Sequence, residues 1–273
     1  IRDRLFTTDK ELSSSLINQI YQDRNGFIWI ATEDGLNRYD GAKFTIYKHE
    51  PNNEHSLAHN FVRTVFEDSK GHLLIGTYIG IQMYDPATDN FTPLAKLEDT
   101  GETLESNINS FIERKNGEIW VSGNVLCKLD IKDHLLTVRK VDIAVTSPGS
   151  LFEDKKQNVW MAKGEEGVYQ LTPDNQLTLH LSKDNGYVKS ICEDQRGNIY
   201  VGSIRKGLFI YDKERKTFVP VDLKEKGELP VCFLYSGIPN ELYIGTDGKG
   251  VAIYNIRTHE ISEYKFDNNY FDS

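Results

Sequence analysis

One phrase recurs along this chain and constrains its fold more than any other feature. It runs from Gln22 to Asp40: an acidic turn at Asp23, a glycine at Gly26, the apolar run Phe27-Ile28-Trp29-Ile30, the small Ala31, a second glycine at Gly35 and a closing Tyr39-Asp40. Taking the middle of the apolar run as a reference, the phrase returns at Leu74, Trp120, Trp160, Tyr200 and Tyr243, at steps of 45, 46, 40, 40 and 43 residues. Ile17, Val62, Ile108, Pro148, Val188 and Val231 hold one upstream register, and Ile20, Val65, Phe111, Leu151, Ile191 and Leu234 hold another. Such self-similarity is the mark of a repeat architecture, in which each unit buries its apolar face against its neighbours.

Each position has a physical reading. Three residues before the reference stand Gly26, Gly71, Gly117, Gln157, Gly197 and Asn240, and Gly or Asn suits a tight hairpin that needs positive φ. Gln157 alone breaks that rule. Two residues after the reference stand Ala31, Gly76, Ser122, Ala162, Gly202 and Gly245, all small, as expected where strands crowd together. Runs such as Ile199-Tyr200-Val201 are apolar on both faces, so this strand is expected to be covered on both sides.

Four short strands in 40 to 46 residues make a propeller blade. The expected fold is all-β: a β-propeller of four-stranded antiparallel blades forming a single domain over residues 1–273, with blades at about 16–48, 61–94, 108–141, 149–181, 187–223 and 231–266. Residues 1–15 hold no full unit, and Arg4-Leu5-Phe6-Thr7 reads as a stray outer strand. The next first strand would begin just past the end of the chain. A seven-bladed ring one blade short is therefore the expectation, with a six-bladed ring as the alternative.

A net charge of -9 argues against a nucleic-acid binder or an anionic-membrane binder, either of which needs a basic face. No apolar run reaches the 18 or so residues of a spanning helix. Three cysteines, Cys127, Cys192 and Cys232, fall on predicted strands and read as small apolar thiols. No nucleophile elbow, phosphate loop or HExxH is present, so neither a catalytic residue nor a cofactor is assigned. His55 and His59 are close in sequence, but they stand in a polar connector and read as loop residues rather than a metal pair.

The phrases Phe66-Glu67-Asp68-Ser69-Lys70-Gly71-His72-Leu73-Leu74-Ile75-Gly76-Thr77 and Glu33-Asp34-Gly35-Leu36-Asn37-Arg38-Tyr39-Asp40 resemble the two-component regulator propeller repeat. The resemblance is strong in units one, two, five and six and weak in three and four. It implies the periplasmic sensor region of a hybrid two-component histidine kinase, in which such repeats precede a membrane span, a kinase and a DNA-binding part. On that basis the chain is expected to be a non-enzymatic, extracytoplasmic sensing module of an inner-membrane protein. Its expected partners are a glycan-derived oligosaccharide, the remaining sensor domains of the same chain and a second copy in a homodimer. Nucleic-acid and membrane contact are not expected of this part. A propeller lyase or hydrolase and a pure protein-interaction scaffold are the alternatives.

The signature positions are scaffold and carry no ligand. Function in a propeller sits on one rim, built from the connectors entering each first strand and the turns between second and third strands. The residues there differ from unit to unit: Asn18, Arg63, Tyr78, Asn109, Lys189, Arg205, Lys206, Asp247 and Lys249. An aromatic face for a sugar ring, with cations for a uronate or sulfate, is a coherent binding set.

Overall fold

A computed structural model of the chain describes residues 6–8, 11–181, 186–223 and 229–264. Blade one comprises β1 (Ile17–Gln22), β2 (Ile28–Thr32), β3 (Gly35–Tyr39) and β4 (Phe44–Tyr47); blade two comprises β5 (Val62–Glu67), β6 (Leu73–Thr77), β7 (Ile81–Asp85) and β8 (Asn90–Phe91). After β9 (Lys96–Leu97), blade three holds β10 (Ser110–Glu113), β11 (Ile119–Ser122), β12 (Leu126–Lys132) and β13 (Leu135–Lys140). Blade four holds β14 (Leu151–Glu153), β15 (Val159–Lys163), β16 (Gly167–Leu171) and β17 (Leu177–Leu181). Blade five holds β18 (Val188–Glu193), β19 (Ile199–Ser203), β20 (Gly207–Asp212) and β21 (Thr217–Pro220), and blade six holds β22 (Val231–Tyr235), β23 (Glu241–Thr246), β24 (Val251–Asn255) and β25 (Ile261–Tyr264). Each is an antiparallel meander in sequence order, and the fold is that of a β-propeller. Among the described residues no helix is long and apolar enough to cross a membrane.

The chain divides into two compact units, Ile1–Pro148 and Gly149–Ser273, with three blades in each. Within a unit the core lies between successive blades. In unit one, Trp29, Ala31 and Leu36 of blade one bury Val62 and Val65 of blade two, and Leu74 and Ile81 pack on Ile108 and Phe111 of blade three. In unit two the same layering joins Trp160 and Ala162 to Val188 and Ile191, and Tyr200 and Leu208 to Val231 and Leu234. The references Trp29, Leu74, Trp120, Trp160 and Tyr200 are 3% exposed or less.

The glycine register proves conformational. Gly26, Gly71, Gly117 and Gly197 have φ between 79° and 95°, and Asn240 has φ 62°. Gln157 takes φ 67° at the same place, so the backbone of blade four keeps the turn although its residue lacks a glycine's freedom.

Two features depart from the repeat pattern. β9 adds to blade three as a fifth strand, parallel to β13 with Lys96 opposite Thr137. At the chain start, Phe6 and Thr7 are not in a strand, while Arg4 and Leu5 lie outside the described residues, as do Lys265 and Phe266 at the end of blade six. The Thr7 carbonyl instead accepts the Glu11 and Leu12 N–H groups, a local turn that diverts the segment from pairing. Phe6 caps blade one through its ring, 5.1 Å from Tyr39 and 5.0 Å from Phe44.

Blade three, the weakest repeat, rebuilds its turn with different chemistry. Arg114 stands where blades one, two, four and five carry Asp, and its guanidinium lies 4.5 Å over the Trp120 ring. Glu118 accepts the Trp120 indole N–H at 3.0 Å and the Lys128 ammonium at 2.6 Å. Lys128 above all, helped by Trp120 and Asn116, holds the Glu118 carboxyl down to about 2, against an ordinary value of 4.5. A carboxyl depressed in the folded state contributes stability above its unfolded pKa and loses it as pH falls through the folded one. Acid titration is therefore expected to weaken the protein progressively from about pH 4.5 to about pH 2 in part through Glu118. The side chain is 35% exposed, so solvent screening limits the effect to about 1 kcal/mol. Urea midpoints across that window check this: Lys128→Met should flatten the dependence, and an identical pH profile in both proteins would refute it.

Candidate functional site

Acidic turns close the first hairpin of blades one, two, four and five. Asp154 Oδ1 accepts the N–H groups of Lys156 and Asn158 at 2.8 and 2.9 Å, while Oδ2 accepts Asn158 Nδ2 and Trp160 Nε1, both at 2.8 Å. Asp23 does the same with Asn25, Phe27 and Trp29. In blade two, where Leu74 replaces the indole, His72 Nδ1 meets Asp68 Oδ2 at 2.7 Å. In blade five Asn198 fills that role on Asp194. These carboxylates are 9% exposed or less and belong to the frame.

The opposite end of each blade carries the variable groups. Four blades join the turn after the second strand to the connector before the first by one backbone bond: Glu33 N–H to Leu16 O, Tyr78 to Phe61, Ile204 to Tyr187 and Asp247 to Pro230, at 2.9 to 3.1 Å. This bond places the predicted turn and connector residues side by side. The same four blades carry a β-bulge at the second residue of the first strand, skipping Asn18, Arg63, Lys189 and Cys232. A bulged residue leaves the ladder and re-aims its side chain. Three of these four are among the candidates, and Cys232 is the one that sequence reasoning did not select.

Unit one holds the more developed rim. The Tyr78 ring is exposed, and it lies 5.6 Å from the His59 ring and 6.1 Å from the Phe61 ring. Arg63 lies 5.5 Å over Phe61, and its Nη1 reaches Asn109 Oδ1 at 3.4 Å. His59 Nδ1 accepts the Phe61 N–H at 2.9 Å, which leaves Nε2 to carry the ring proton. Asn18 and Asn109 also bridge to the chain that follows, since Asn18 Nδ2 donates to Val62 O at 2.8 Å and Asn109 Nδ2 to Pro148 O at 3.0 Å. Each amide thus ties its blade to the strand entry beyond it. His55 Nδ1 bonds Phe91 O instead of converging with His59, and among the described residues no group of three or more acidic, His or Cys side chains could hold a metal ion.

Beside this shelf is a cleft of about 670 Å³ whose lining includes Ala58, Ile79, Leu94, Lys96, His134 and Leu135. Ile79 follows Tyr78 and Ala58 precedes His59, so shelf and cleft meet along the chain. Gln82, 1% exposed, pins the connector to blade two: its Oε1 accepts the Ala58 N–H at 2.6 Å and its Nε2 donates to Ser56 O at 3.0 Å. Sequence reasoning missed the cleft because two of its walls come from outside the repeat phrase, the connector before β5 and the β9 strand.

In unit two the rim is charged. Arg205 and Glu165, both 63% exposed, pair at 2.8 Å between the turns of blades five and four, and Lys163 pairs with Glu166 at 2.8 Å. Lys189, Lys206, Asp247 and Lys249 are exposed. Burial raises the Cys232 thiol, with Lys189 pulling it down and Asp247 pushing it up, so those two candidates flank one bulged residue. Burial alone pushes Cys127 up to about 11 and dominates the rise of Cys192 to about 12, which leaves both as inert core thiols.

Three segments, 11–34, 56–78 and 182–205, match the model of the two-component regulator propeller family. Each match runs from a connector through the first hairpin to the rim turn. These are two-component regulator propeller repeats. The chain is also similar to histidine kinase P4 of Formosa agariphila, 42% identical over 53 residues, which is 19% of this chain and 4% of that one. Among solved structures, the extracellular domain of a putative hybrid two-component system from B. thetaiotaomicron superposes with a TM-score of 0.74 at 18% identity, covering 92% of this chain and 36% of that one. Virginiamycin B lyase from Staphylococcus aureus superposes with a TM-score of 0.71 at 13% identity, covering 95% and 89%. At such identities the chain shares a fold with both. It spans about a third of the length of the first.

Proposed function

We propose that this regulator propeller is the extracytoplasmic ligand-sensing module of a hybrid two-component sensor histidine kinase, on the periplasmic side of an inner-membrane protein, and that it binds an acidic oligosaccharide. The repeat family and the names of its relatives support the sensing role. The observation that carries the ligand class is the shelf of His59, Phe61 and Tyr78 beside a cleft that also holds Lys96 and His134. An exposed ring gives a sugar its apolar face, and Arg63 and Lys96 supply cations for a carboxylate or sulfate. A cleft of about 670 Å³ lies in the range of small-ligand sites. Lys189, Arg205, Lys206, Asp247 and Lys249 form a second, charged candidate set, in which Glu165 already neutralises part of the charge on Arg205.

Binding alone is the proposed act, with occupancy passed on by altered docking against the other sensor domains and a second copy of the sensor. That requires the ligand to favour one arrangement over another. A thermal-shift screen against acidic and neutral oligosaccharides tests the reading. One acidic glycan should raise the melting temperature saturably with no product formed. Tyr78→Ala should weaken its Kd about tenfold, equivalent to about 1.4 kcal/mol, without changing the melting temperature of the free protein. A flat panel would move the site off this module, and turnover would make the protein an enzyme.

A further inference from the structure

Tyr187 is an exposed ring held in a built seat. It occupies the register of Leu16, Phe61 and Pro230, the connector residues that bond the rim turn of their own blade, and its carbonyl accepts the Ile204 N–H at 2.9 Å. The next residue bonds the other way, since the Val188 N–H donates at 2.9 Å to Gly164 O, in the rim turn of blade four. Tyr187 therefore lies between two rim turns of unit two, and it is 43% exposed.

Gly164 makes room for the ring. A β-carbon there would stand 2.9 Å from Tyr187 Cε2 and 3.2 Å from Cζ, so the ring rests on bare backbone. Every other blade has a side chain in that register: Glu33, Tyr78, Asn124, Ile204 and Asp247. Gly164 also takes φ 47°, where residues with a β-carbon are uncommon. The polar groups beside the ring are seated in the same manner. At Gly186 a β-carbon would meet Arg205 Cβ at 2.9 Å and Lys206 Cγ at 3.1 Å, so both stems pack on a second glycine. From that seat Arg205 reaches Glu165 of the neighbouring turn at 2.8 Å. Glu166, the adjacent carboxylate, faces Lys163 and the Tyr169 hydroxyl instead.

We infer that Tyr187, Arg205 and Glu165 form a binding site for a neutral pyranose unit, with the sugar's C–H face on the Tyr187 ring and two adjacent hydroxyls on the Arg205–Glu165 pair. The chemistry of the three groups selects this class. The ring offers a flat apolar face that is already fixed in place. A guanidinium only donates and a carboxylate only accepts, whereas a hydroxyl does both, so vicinal hydroxyls bridge the pair. A uronate or sulfate fits less well, because Glu165 cancels the charge of Arg205 and repels a second anion. An apolar group would strip water from both charges and give nothing back. The site is separate from the unit-one shelf and goes beyond the acidic-ligand reading, on which it does not rest.

The test titrates the 273-residue chain with cellobiose, maltose, xylobiose and galactobiose, and with digalacturonate as an acidic counterpart, by calorimetry and saturation-transfer NMR. At least one neutral disaccharide should bind, with transfer strongest at the C–H protons on one face of a sugar ring. Tyr187→Ala should weaken its Kd about tenfold and Glu165→Gln several-fold, whereas Tyr187→Phe, which keeps the ring, should retain the complex. Gly164→Ala lifts the ring from its seat without removing it and should weaken binding as well, with a melting curve to show that the variant folds. Binding that survives Tyr187→Ala, no binding of any neutral disaccharide, or tighter binding of digalacturonate that is lost with Tyr187→Ala would each overturn the inference. So would a neutral sugar lost on Tyr78→Ala but not on Tyr187→Ala, which would put it on the unit-one shelf. An acidic panel that stays blank while a neutral disaccharide binds through Tyr187 would sink the acidic-ligand reading and leave this site standing.

Discussion

Asp154→Ala should lower the stability of unit two by about 4 kcal/mol, read as a fall in the urea midpoint at unchanged slope. The magnitude follows from what the carboxylate holds. Two backbone N–H groups, the Asn158 amide and the Trp160 indole all donate to it, and the residue is 5% exposed. Removing the acceptor strands four donors where water has little access, and a buried unsatisfied donor costs about 1–3 kcal/mol. Asp154→Asn should recover little, since its amide nitrogen would face either the indole N–H or the backbone donors. Trp160→Phe removes a single donor and should cost less than half as much. A loss below about 1 kcal/mol for Asp154→Ala would show that water replaces the carboxylate and that the turn is not a structural clasp.

Gly76→Ala is expected to cost about 3 kcal/mol although it adds one methyl group. The backbone at Gly76 is not in the left-handed region, so the whole effect is steric. The new carbon would meet Ile108 Cγ2 at 2.6 Å and Ile108 Cβ at 2.9 Å, inside a core cluster where Ile108 is 1% exposed. Ile108→Ala alone opens a cavity and should cost about 2–4 kcal/mol. The two changes are complementary, so the double variant should be more stable than the sum of the singles predicts by at least about 1 kcal/mol. Strict additivity would mean that the blades move apart rather than interlock, and that small residues in this register are not needed for packing.

Particular residues show how much was legible beforehand. The strands of all six blades fall inside the ranges read from the repeat, because hairpin glycines, apolar runs and small residues are local requirements that a sequence displays directly. Gln157 shows the limit of that legibility: its φ of 67° is imposed by the hairpin around it. Arg114 and Glu118 exchange the usual Asp clasp for a cation over the ring and a carboxylate beneath the indole, a substitution visible only once Lys128 is seen to complete it. Asn18, Arg63, Lys189 and Tyr78 stand out in the sequence because they vary among otherwise similar turns. The bulges that re-aim the first three, and the bond from Asn18 Nδ2 to Val62 O that commits Asn18 to the next blade, were not readable. The cleft beside Tyr78 was invisible, since β9 carries no repeat signature and pairs in parallel with a strand some forty residues away.

What the sequence determined by itself was therefore the unit and its count. Each blade is a meander of neighbouring segments, so turn chemistry and alternation specify it within about forty residues. What only the tertiary structure decided was everything that depends on two blades at once: which glycines the side chains of the next blade press upon, as Ile108 does on Gly76, which polar residues bridge strand entries, and where connector and extra strand leave a cavity. Those outcomes rest on the packing of side chains distant in the chain, and close packing is a property of the assembled core that no local pattern encodes.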